Sequence, residues 1–175
     1  IVGAMANNIF KYKGLKIGKS IYEKNLNNVI KEIFSHAKNN NCKIYTPIDT
    51  KVGKKLNDGS TEKEFCDIED DDMILDIGPK SLKEILRIID KSSSLLWNGP
   101  LGYFENSNFS NGSFEVAKNI ANKGEDIFSV VGGGDTVAVI NTLNIEKKFN
   151  FVSTAGGAFL EYLEGKVLPG IKALN

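Results

Sequence analysis

Residues 127–136, with the sequence IFSVVGGGDT, decide the fold of this 175-residue chain. The first five are apolar or β-branched apart from one serine, which is typical of a short buried strand. Three glycines follow at once, then Asp135 and Thr136, and an apolar periodic run continues to Leu143. A strand that passes through a glycine turn directly into a helix indicates a βαβ unit.

Two more segments repeat this succession. Residues 151–154, FVST, are followed by Ala155-Gly156-Gly157 and then by a periodic run to Leu163. Residues 94–97, SLLW, have the character of another buried strand and lead into a turn rich in glycine and proline. Repeated strand, turn and helix predict an α/β protein, with a parallel sheet that is covered by helices.

Right-handed crossovers place the strand-to-helix turns of such a sheet along one edge, where ligands bind at the carboxyl ends of the strands. Four turns are therefore expected to line one crevice: those around Gly3, residues 98–105, residues 132–136 and residues 154–157. Elsewhere the pattern predicts a helix over 79–89, a strand over 43–48 that Pro47 breaks, and a short apolar segment at 74–78. Over 51–72 it predicts a surface loop followed by a short strand and an acidic turn.

Charge and composition exclude several classes of function. The chain carries 22 basic and 22 acidic side chains, and this zero net charge argues against a general nucleic-acid binder. His36 is the only histidine, and Cys42 and Cys66 lack metal-binding spacing, which excludes catalytic triads and zinc sites. No apolar run is long enough to span a membrane and no signal peptide is visible, so a cytoplasmic protein with reduced thiols is expected.

Arg87 is the only arginine, so the chain can build no arginine cluster for an anionic ligand. Backbone amides, lysines, helix termini or a metal ion would have to hold such a ligand. The glycines before Asp135 fit this need, because they allow close approach to a helix N-terminus that attracts phosphate. An aspartate there indicates Mg²⁺ between Asp135 and phosphate oxygens. The alternative, that Asp135 or Thr136 only caps the helix, stays open.

Three further segments are ambiguous. Residues 98–105, NGPLGYFE, combine a rigid turn, aromatic side chains and a carboxylate, which suits a flat base and sugar hydroxyls but equally a structural turn. Residues 14–20, GLKIGKS, have three residues between the glycines where a P-loop has four, which favours a solvated turn. The run DIEDDD at 67–72 lacks the glycine and terminal glutamate of a calcium loop, and again favours a solvated turn.

Seven stretches of the chain form one ordered set: IVGAMA from Ile1, LKIGKS from Leu15, DIGPKS from Asp76, WNGPLGYFE from Trp97, VVGGGDT from Val130, STAGGA from Ser153 and LEGKVLPGIKAL from Leu163. Together they resemble the C-terminal, nucleotide-binding domain of phosphoglycerate kinase. The resemblance covers nearly the whole chain, although residues 51–70 match poorly. It implies a three-layer α/β/α, Rossmann-like parallel sheet over residues 1–175, with the N-terminal phosphoglycerate-binding domain missing.

The resemblance implies half of a two-domain glycolytic kinase. The enzyme would move a phosphoryl group reversibly between 1,3-bisphosphoglycerate and MgADP, giving 3-phosphoglycerate and MgATP. The missing domain would hold the phosphoglycerate, while this half would bind ATP or ADP with Mg²⁺ and be inactive alone. The whole protein would be a cytoplasmic monomer with no nucleic-acid or membrane partner. The lack of a histidine base is no objection, because phosphoryl transfer mainly needs positioning and charge neutralisation.

On the phosphate side of the nucleotide, the resemblance assigns roles to five residues. Gly133 and Gly134 would face the phosphates, and Asp135 would bind the Mg²⁺ ion. Thr136 and Asn98 would lie near the same phosphates.

On the nucleoside side, the resemblance assigns four more residues. Gly78 would lie against the adenine, Pro100 and Tyr103 would wall the base or ribose, and Glu105 would take the ribose hydroxyls. The family's triple glycine beside the base reads Val2-Gly3-Ala4 here, which narrows the room for the base.

The amides of Gly156 and Gly157 would act in catalysis by contacting the transferring phosphoryl group. Ala155 replaces the first glycine of this turn. Because this change and the one at Val2 and Ala4 are both small, a weaker or altered nucleotide contact is expected rather than its loss. A non-catalytic nucleotide-binding or assembly module that reuses the half-fold is the alternative. A dinucleotide enzyme is disfavoured, because no GxGxxG turn follows a first strand with an acidic residue about 20 positions later.

Overall fold

The computed structural model describes residues 1–174; Asn175, the last residue of the predicted domain, lies outside the described residues. In chain order the helices and strands are α1 (Gly3–Tyr12), α2 (Asn27–Asn39), β1 (Asp49–Gly53), β2 (Thr61–Glu64), β3 (Met73–Ile77), α3 (Pro79–Asp90), β4 (Ser94–Asn98), α4 (Asn111–Lys123), β5 (Phe128–Gly132), α5 (Gly134–Thr142), β6 (Phe151–Val152), α6 (Gly157–Leu163) and α7 (Pro169–Lys172). The helix predicted after the proline at position 79 is confirmed as α3.

The chain divides into two compact units. The first unit comprises Ile1–Arg87 and Pro100–Val116, and the second comprises Ile88–Gly99 and the chain from Ala117 onward. Two of the three boundaries fall inside helices, α3 and α4, so each unit contains part of these two helices, and the third lies between Gly99 and Pro100.

The second unit contains the parallel sheet, with strand order β4-β5-β6. Leu96 pairs with Val130, and Val130 pairs with Phe151 on the other side. Strands β5 and β6 each lead through a short turn into a helix, α5 and α6 respectively. This arrangement confirms the predicted α/β class and its Rossmann-like succession of strand, glycine turn and helix. The buried core of the unit consists of Ile89, Trp97, Ala117, Ile120, Ala121, Ile127, Val131, Val139, Ile140 and Phe149.

The first unit contains a different sheet, antiparallel, with strand order β2-β1-β3. Of the loop, short strand and acidic turn expected over residues 51–72, the first residues belong instead to strand β1, whereas a short strand, β2, does precede the acidic turn. The strand predicted over 43–48 is wrong, since regular pairing begins only at Asp49, beyond Pro47. Proline has no N–H to donate, and strand formation depends on a partner as much as on the apolar character of the segment.

Helix α1 packs its apolar side into the core of the first unit. Ala6, Phe10 and Ile17 form a buried cluster, against which Phe65 and Ile74 pack. The rings of Phe10 and Phe65 lie 4.3 Å apart at 54°, a tilted aromatic contact. Among residues 1–174, no helix combines the length and the apolar composition that crossing a membrane requires.

Candidate functional site

The glycine turn that follows β5 contains three glycines with three different reasons to be glycine. A Cβ on Gly132 would lie 2.4 Å from Cε1 of Phe159, a ring carried by α6. Such a distance is far below ordinary van der Waals contact. The first glycine therefore makes room for a side chain of the protein itself and gives no support to ligand binding.

The second glycine, Gly133, is required by the backbone. Its φ of 87° and ψ of 134° are a conformation that residues with a side chain rarely adopt. A Cβ there would also lie 3.0 Å from Oδ1 of Asn98, the last residue of β4. The structure thus brings Asn98 and Gly133, two of the predicted site residues, into direct contact.

The third glycine, Gly134, begins α5 and faces open space, since a Cβ on it would meet no atom within 4 Å. Asp135 is exposed beside it. Gly133 is the N-cap, and no side chain caps this helix end, so the capping role considered for Asp135 or Thr136 is wrong. The amide groups of an uncapped first turn attract anions.

Thr136 has a structural task that its sequence position did not reveal. Its side chain is completely buried, and Oγ1 accepts a hydrogen bond of 2.6 Å from the backbone N–H of Gly99. Asn98 also lies opposite Gly132 in the ladder between β4 and β5. The turn after β4 is therefore fixed to the first turn of α5 by both backbone and side-chain contacts.

The turn after β6 has the same construction. Gly156 has φ 55° and ψ −130° and is the N-cap of α6, which no side chain caps. A Cβ on Gly157, the first residue of α6, would meet no atom within 4 Å. Ser153 fixes the turn, because its N–H donates to the carbonyl of Val131 at 2.7 Å while its Oγ accepts from the N–H of Ala155. Gly156 and Gly157 thus follow the strand next to β5.

The remaining predicted site residues, Gly78, Pro100, Tyr103 and Glu105, belong to the first unit. Gly78 is buried, and a Cβ on it would lie 2.3 Å from Cγ of Asp49. The carboxylate of Asp49 accepts hydrogen bonds from the N–H groups of Lys80 and Ser81, at 2.9 and 2.8 Å. It therefore caps α3 from a distant strand and explains why position 78 has no side chain. Contact of Gly78 with adenine stays a prediction.

The loop that contains Pro100, Tyr103 and Glu105 is held by backbone contacts. The N–H of Tyr103 donates to the carbonyl of Leu75 at 2.7 Å. Pro100 and Tyr103 are half-buried, whereas Glu105 is exposed. Gly3 lies beside this loop, since a Cβ on it would be 3.6 Å from the carbonyl oxygen of Pro100. Two of the four turns expected to line one crevice therefore adjoin within this unit.

Asp76 is a buried acid next to this loop that the sequence did not single out. Its carboxylate oxygens accept hydrogen bonds of 2.9 Å from the N–H groups of Ile77 and Gly112, and the second bond caps the first turn of α4. Burial, only partly offset by these bonds and by Lys51, raises the pKa of Asp76 to about 6. The unfolded chain would have the ordinary value of 3.8.

This pKa predicts a pH-dependent contribution to stability. Because the folded protein holds the proton more tightly, the contribution is complete below pH 3.8 and is lost as the pH rises through about 6. We expect the free energy of unfolding, relative to an Asp76→Asn variant, to fall by roughly 2–3 kcal/mol from pH 4 to pH 7. Urea denaturation of both proteins across this range measures it, and a difference that rises with pH would contradict the assignment.

The acidic run at 67–72 is largely exposed, as predicted, and its carboxylates also bind lysines of the protein. Within residues 1–174, the acidic side chains that converge closely enough to hold a metal are Glu69, Asp71 and Asp72. The ammonium group of Lys54 already lies 2.5 Å from Glu69 and Asp71 and 3.0 Å from Asp72. Lys63 contacts the other oxygen of Asp72 at 2.8 Å. These lysines occupy the place that a metal would take.

Phe159 and Asp49 are the contributors to these turns that sequence reasoning missed. Each makes its glycine, Gly132 or Gly78, necessary from a distant place in the chain. The only local sign of such a contact is a glycine at a position where the pattern favours a residue with a side chain. This sign does not reveal which distant residue occupies the space beside the glycine.

Comparison with known proteins gives one consistent result. A family model described as "Phosphoglycerate kinase" matches residues 1–166. The phosphoglycerate kinase of Francisella philomiragia is 44% identical over 175 residues, which are 99% of this chain and 44% of that protein. The phosphoglycerate kinase of Zymomonas mobilis is 45% identical over 179 residues, with 100% and 45% of the two chains covered.

Solved structures agree. The structure of phosphoglycerate kinase from Coxiella burnetii matches 99% of this chain with a TM-score of 0.92 and 36% identity. The crystal structure of phosphoglycerate kinase from Pyrococcus horikoshii matches 99% with a TM-score of 0.73 and 29% identity. The chain covers 45% and 44% of these two proteins, so it spans about half the length of the relatives it matches.

Proposed function

The chain belongs to the phosphoglycerate kinase family, and we propose that it is the nucleotide-binding half of an enzyme that transfers a phosphoryl group reversibly between 1,3-bisphosphoglycerate and MgADP. The products in the forward direction are 3-phosphoglycerate and MgATP. The whole enzyme acts in glycolysis as a cytoplasmic monomer, and its other half holds the phosphoglycerate. The observation that carries the proposal is the uncapped N-terminus of α5, open at Gly134 and flanked by the exposed Asp135.

Backbone groups bind the phosphates in this proposal. The first-turn amides of α5 attract the phosphate oxygens, and the open space at Gly134 lets them approach the backbone. Asn98 and Thr136 position this turn by contacting Gly133 and Gly99. The scarcity of arginine fits such a site, because it needs no guanidinium group.

Asp135 is the residue that would hold Mg²⁺. The fit is chemical: Mg²⁺ prefers oxygen ligands and is usually held by one or two carboxylates together with substrate phosphates and water. Asp135 offers one exposed carboxylate in the first turn of α5, beside the amides that attract phosphate. The ion, when bound, neutralises charge on the phosphate oxygens.

The nucleoside end falls to four residues of the first unit. Pro100 and Tyr103, both half-buried in a backbone-anchored loop, offer apolar walls for the base or ribose. Glu105 is exposed and can accept hydrogen bonds from ribose hydroxyls. Gly78 lies against the adenine. These assignments follow the family resemblance, and the anchoring of the loop supports them.

Catalysis then rests on positioning. The amides of Gly156 and Gly157, at the uncapped end of α6, stabilise charge on the transferring phosphoryl group. The phosphoglycerate-binding half supplies the other reactant, which is either the acyl phosphate that donates the phosphoryl group or the carboxylate that accepts it. This half alone is therefore inactive, although it binds the Mg-nucleotide.

Asp135→Asn tests the proposal. We expect the affinity for ADP in the presence of Mg²⁺ to fall about tenfold or more, because the metal loses its charged protein ligand. Without Mg²⁺, ADP binding should stay equal or become slightly tighter, since a negative charge beside the phosphates is removed. Isothermal titration calorimetry with and without EDTA measures both values.

Asp126→Asn is the matched control, because it removes the same charge from an exposed position in the same unit. It should leave both affinities unchanged. Equal loss with and without Mg²⁺ would contradict the role of Asp135 as a metal ligand. No measurable ADP binding by the unsubstituted chain would contradict the proposed function itself.

A further inference from the structure

The carboxylate of Asp76 lies between two glycines from different parts of the chain. A Cβ on Gly102, in the loop of residues 100–105, would lie 2.6 Å from Oδ1 of Asp76 and would also overlap the carbonyl oxygen of Leu75. A Cβ on Gly112, in the first turn of α4, would overlap the same Oδ1. Both glycines have φ values outside the left-handed region, so their backbone conformation does not require glycine. The loop and α4 instead lie closer to Asp76 than a side chain would allow.

Hydrogen bonds join the same elements. Oδ2 of Asp76 accepts from the N–H of Gly112 at 2.9 Å, which fixes the first turn of α4 to β3. The next residue of α4, Ser113, is completely buried, and its Oγ accepts from the N–H of Leu101 at 2.8 Å. Asp76 therefore holds α4, and α4 in turn holds the loop.

The loop that is held in this way carries the proposed walls of the nucleoside. Residues 101–102 lie between Pro100 and Tyr103, and the N–H of Tyr103 donates at 2.7 Å to the carbonyl of Leu75, the neighbour of Asp76 in β3. A displacement of Asp76 would thus move both walls. Asp76 itself is 2% exposed, so it can act on a ligand only through the loop.

We propose that Asp76 is a positioning residue for the nucleoside, and that it fixes the loop of residues 100–105 so that Pro100 and Tyr103 can receive the base and ribose. This inference rests on the proposed function and adds a residue to it. If Asp76 only capped α4, the loop would not depend on its side chain. The close approach of Gly102 to the carboxylate favours the wider role.

The ionised form of Asp76 suits this role. Its two oxygens accept from the N–H groups of Ile77 and Gly112, so a proton on either oxygen would point an O–H group toward a donor. Lys51, opposite Asp76 in the ladder between β1 and β3, is the charged group that faces it, whereas the first turn of α4 and residues 100–104 contain no charged side chain. Nucleoside affinity should therefore fall as the pH falls through about 6, the pKa of Asp76.

Asp76→Asn tests the role, because one of the two N–H groups would then face a side-chain NH₂ group instead of an acceptor. We expect adenosine to bind about fivefold to tenfold more weakly. Pyrophosphate with Mg²⁺ should bind as before, since α5 belongs to the other unit. Isothermal titration calorimetry measures both affinities. Amide hydrogen exchange followed by NMR should become faster at Leu101 and Tyr103 in the ligand-free chain.

Asp72→Asn is the matched control. Asp72 is similarly buried in the same unit, but it accepts from Lys63 and from the N–H of Glu69. The substitution should lower the free energy of unfolding and leave the adenosine affinity and the exchange of the loop amides unchanged. An equal loss of adenosine binding in both variants would overturn the proposal, because it would then follow from destabilisation alone.

Ser113→Ala is a second test that does not alter the buried charge. It removes the acceptor of the Leu101 N–H, so we expect faster exchange at Leu101 and adenosine binding weakened by about threefold or more. Unchanged exchange and affinity would contradict the link from α4 to the loop. This variant also tests the loop if Asp76→Asn does not fold.

The pH profile separates positioning from stability. From pH 7 to pH 5 the affinity of the unsubstituted chain for adenosine, which has no group that titrates in this range, should fall about threefold to tenfold. The stability relative to Asp76→Asn should rise over the same range. Affinity that rises together with stability would overturn the proposal, as would the same pH dependence in Asp76→Asn.

The ligand-free measurement distinguishes this inference from the proposed function. If the unsubstituted chain binds neither adenosine nor ADP, the proposed function fails, and the exchange at Leu101 and Tyr103 still decides whether Asp76 holds the loop. If the chain binds adenosine and Asp76→Asn changes neither its affinity nor the exchange, the proposed function stands and the role of Asp76 is overturned.

Discussion

Gly133→Ala is expected to lower the free energy of unfolding by about 3–4 kcal/mol, whereas Gly134→Ala should change it by less than about 1 kcal/mol. The two glycines are neighbours in one turn, but their surroundings differ. Gly133 has φ 87°, and a Cβ would press on Oδ1 of Asn98 at 3.0 Å. Gly134 begins α5 in open space, where alanine is the better helix former.

Urea denaturation of the two variants measures the difference, with the slope against urea concentration as a check that both unfold in the same way. Asn98→Ala in the Gly133→Ala background separates the two sources of strain. It should recover the part caused by the contact with Oδ1 and leave the part caused by the positive φ. Equal stabilities of Gly133→Ala and Gly134→Ala would contradict the conformation of this turn.

The variants Gly133→Ala and Gly134→Ala also test the proposed nucleotide site. If phosphate oxygens approach the backbone at Gly134, a methyl group there should weaken ADP binding although the protein is as stable as before. Gly134→Ala is thus the variant that reports on ligand approach, while Gly133→Ala reports on backbone strain. Only the third glycine of the three has a role that the protein's own packing does not already explain.

The parallel sheet could be predicted because its signals are local. Strands β5 and β6 are each next to a glycine turn in sequence, as in residues 127–136, and the helix follows within a few residues. The antiparallel sheet gave no such signal. Strand β2 has the sequence TEKE, without a buried apolar face, and its pairing with β1 makes it a strand.

The segment 43–48 shows the converse. It has the apolar, β-branched composition of a strand, but the described residues provide it with no ladder beyond the single bond from Ile1. Amino-acid composition indicates whether a segment can form a strand, but a neighbouring strand must pair with it before the strand forms.

The sequence likewise predicted only part of the candidate site. The turns that carry Asp135 and Gly156 could be recognised in the sequence by their glycines between a strand and a helix. The contacts that hold these turns could not be recognised in this way, because they join distant residues. Thr136 contacts Gly99, and Phe159 fills the space above Gly132. No pattern of neighbouring residues encodes such pairs.

Asp49→Ala is expected to lower the free energy of unfolding by about 3–5 kcal/mol, because it removes several charge-assisted hydrogen bonds that a buried carboxylate accepts at the start of α3. The carboxylate accepts from the N–H groups of Lys80 and Ser81, and both donors would be left without it. Asp49→Asn should cost less, since one oxygen remains. Asp70→Ala, at an exposed position, is the control and should stay within about 0.5 kcal/mol.

A double-mutant cycle with Gly78→Ala makes this prediction sharper. Alone, Gly78→Ala should be severely destabilising, because its Cβ would overlap the Asp49 carboxylate, 2.3 Å from Cγ. With Asp49→Ala the carboxylate is gone, so the second substitution should cost about 1–3 kcal/mol less than in the unsubstituted chain. Additive losses would contradict the contact. The coupling also decides how position 78 is tested for adenine binding, since only in the Asp49→Ala background does an added methyl group report on the ligand rather than on the helix cap.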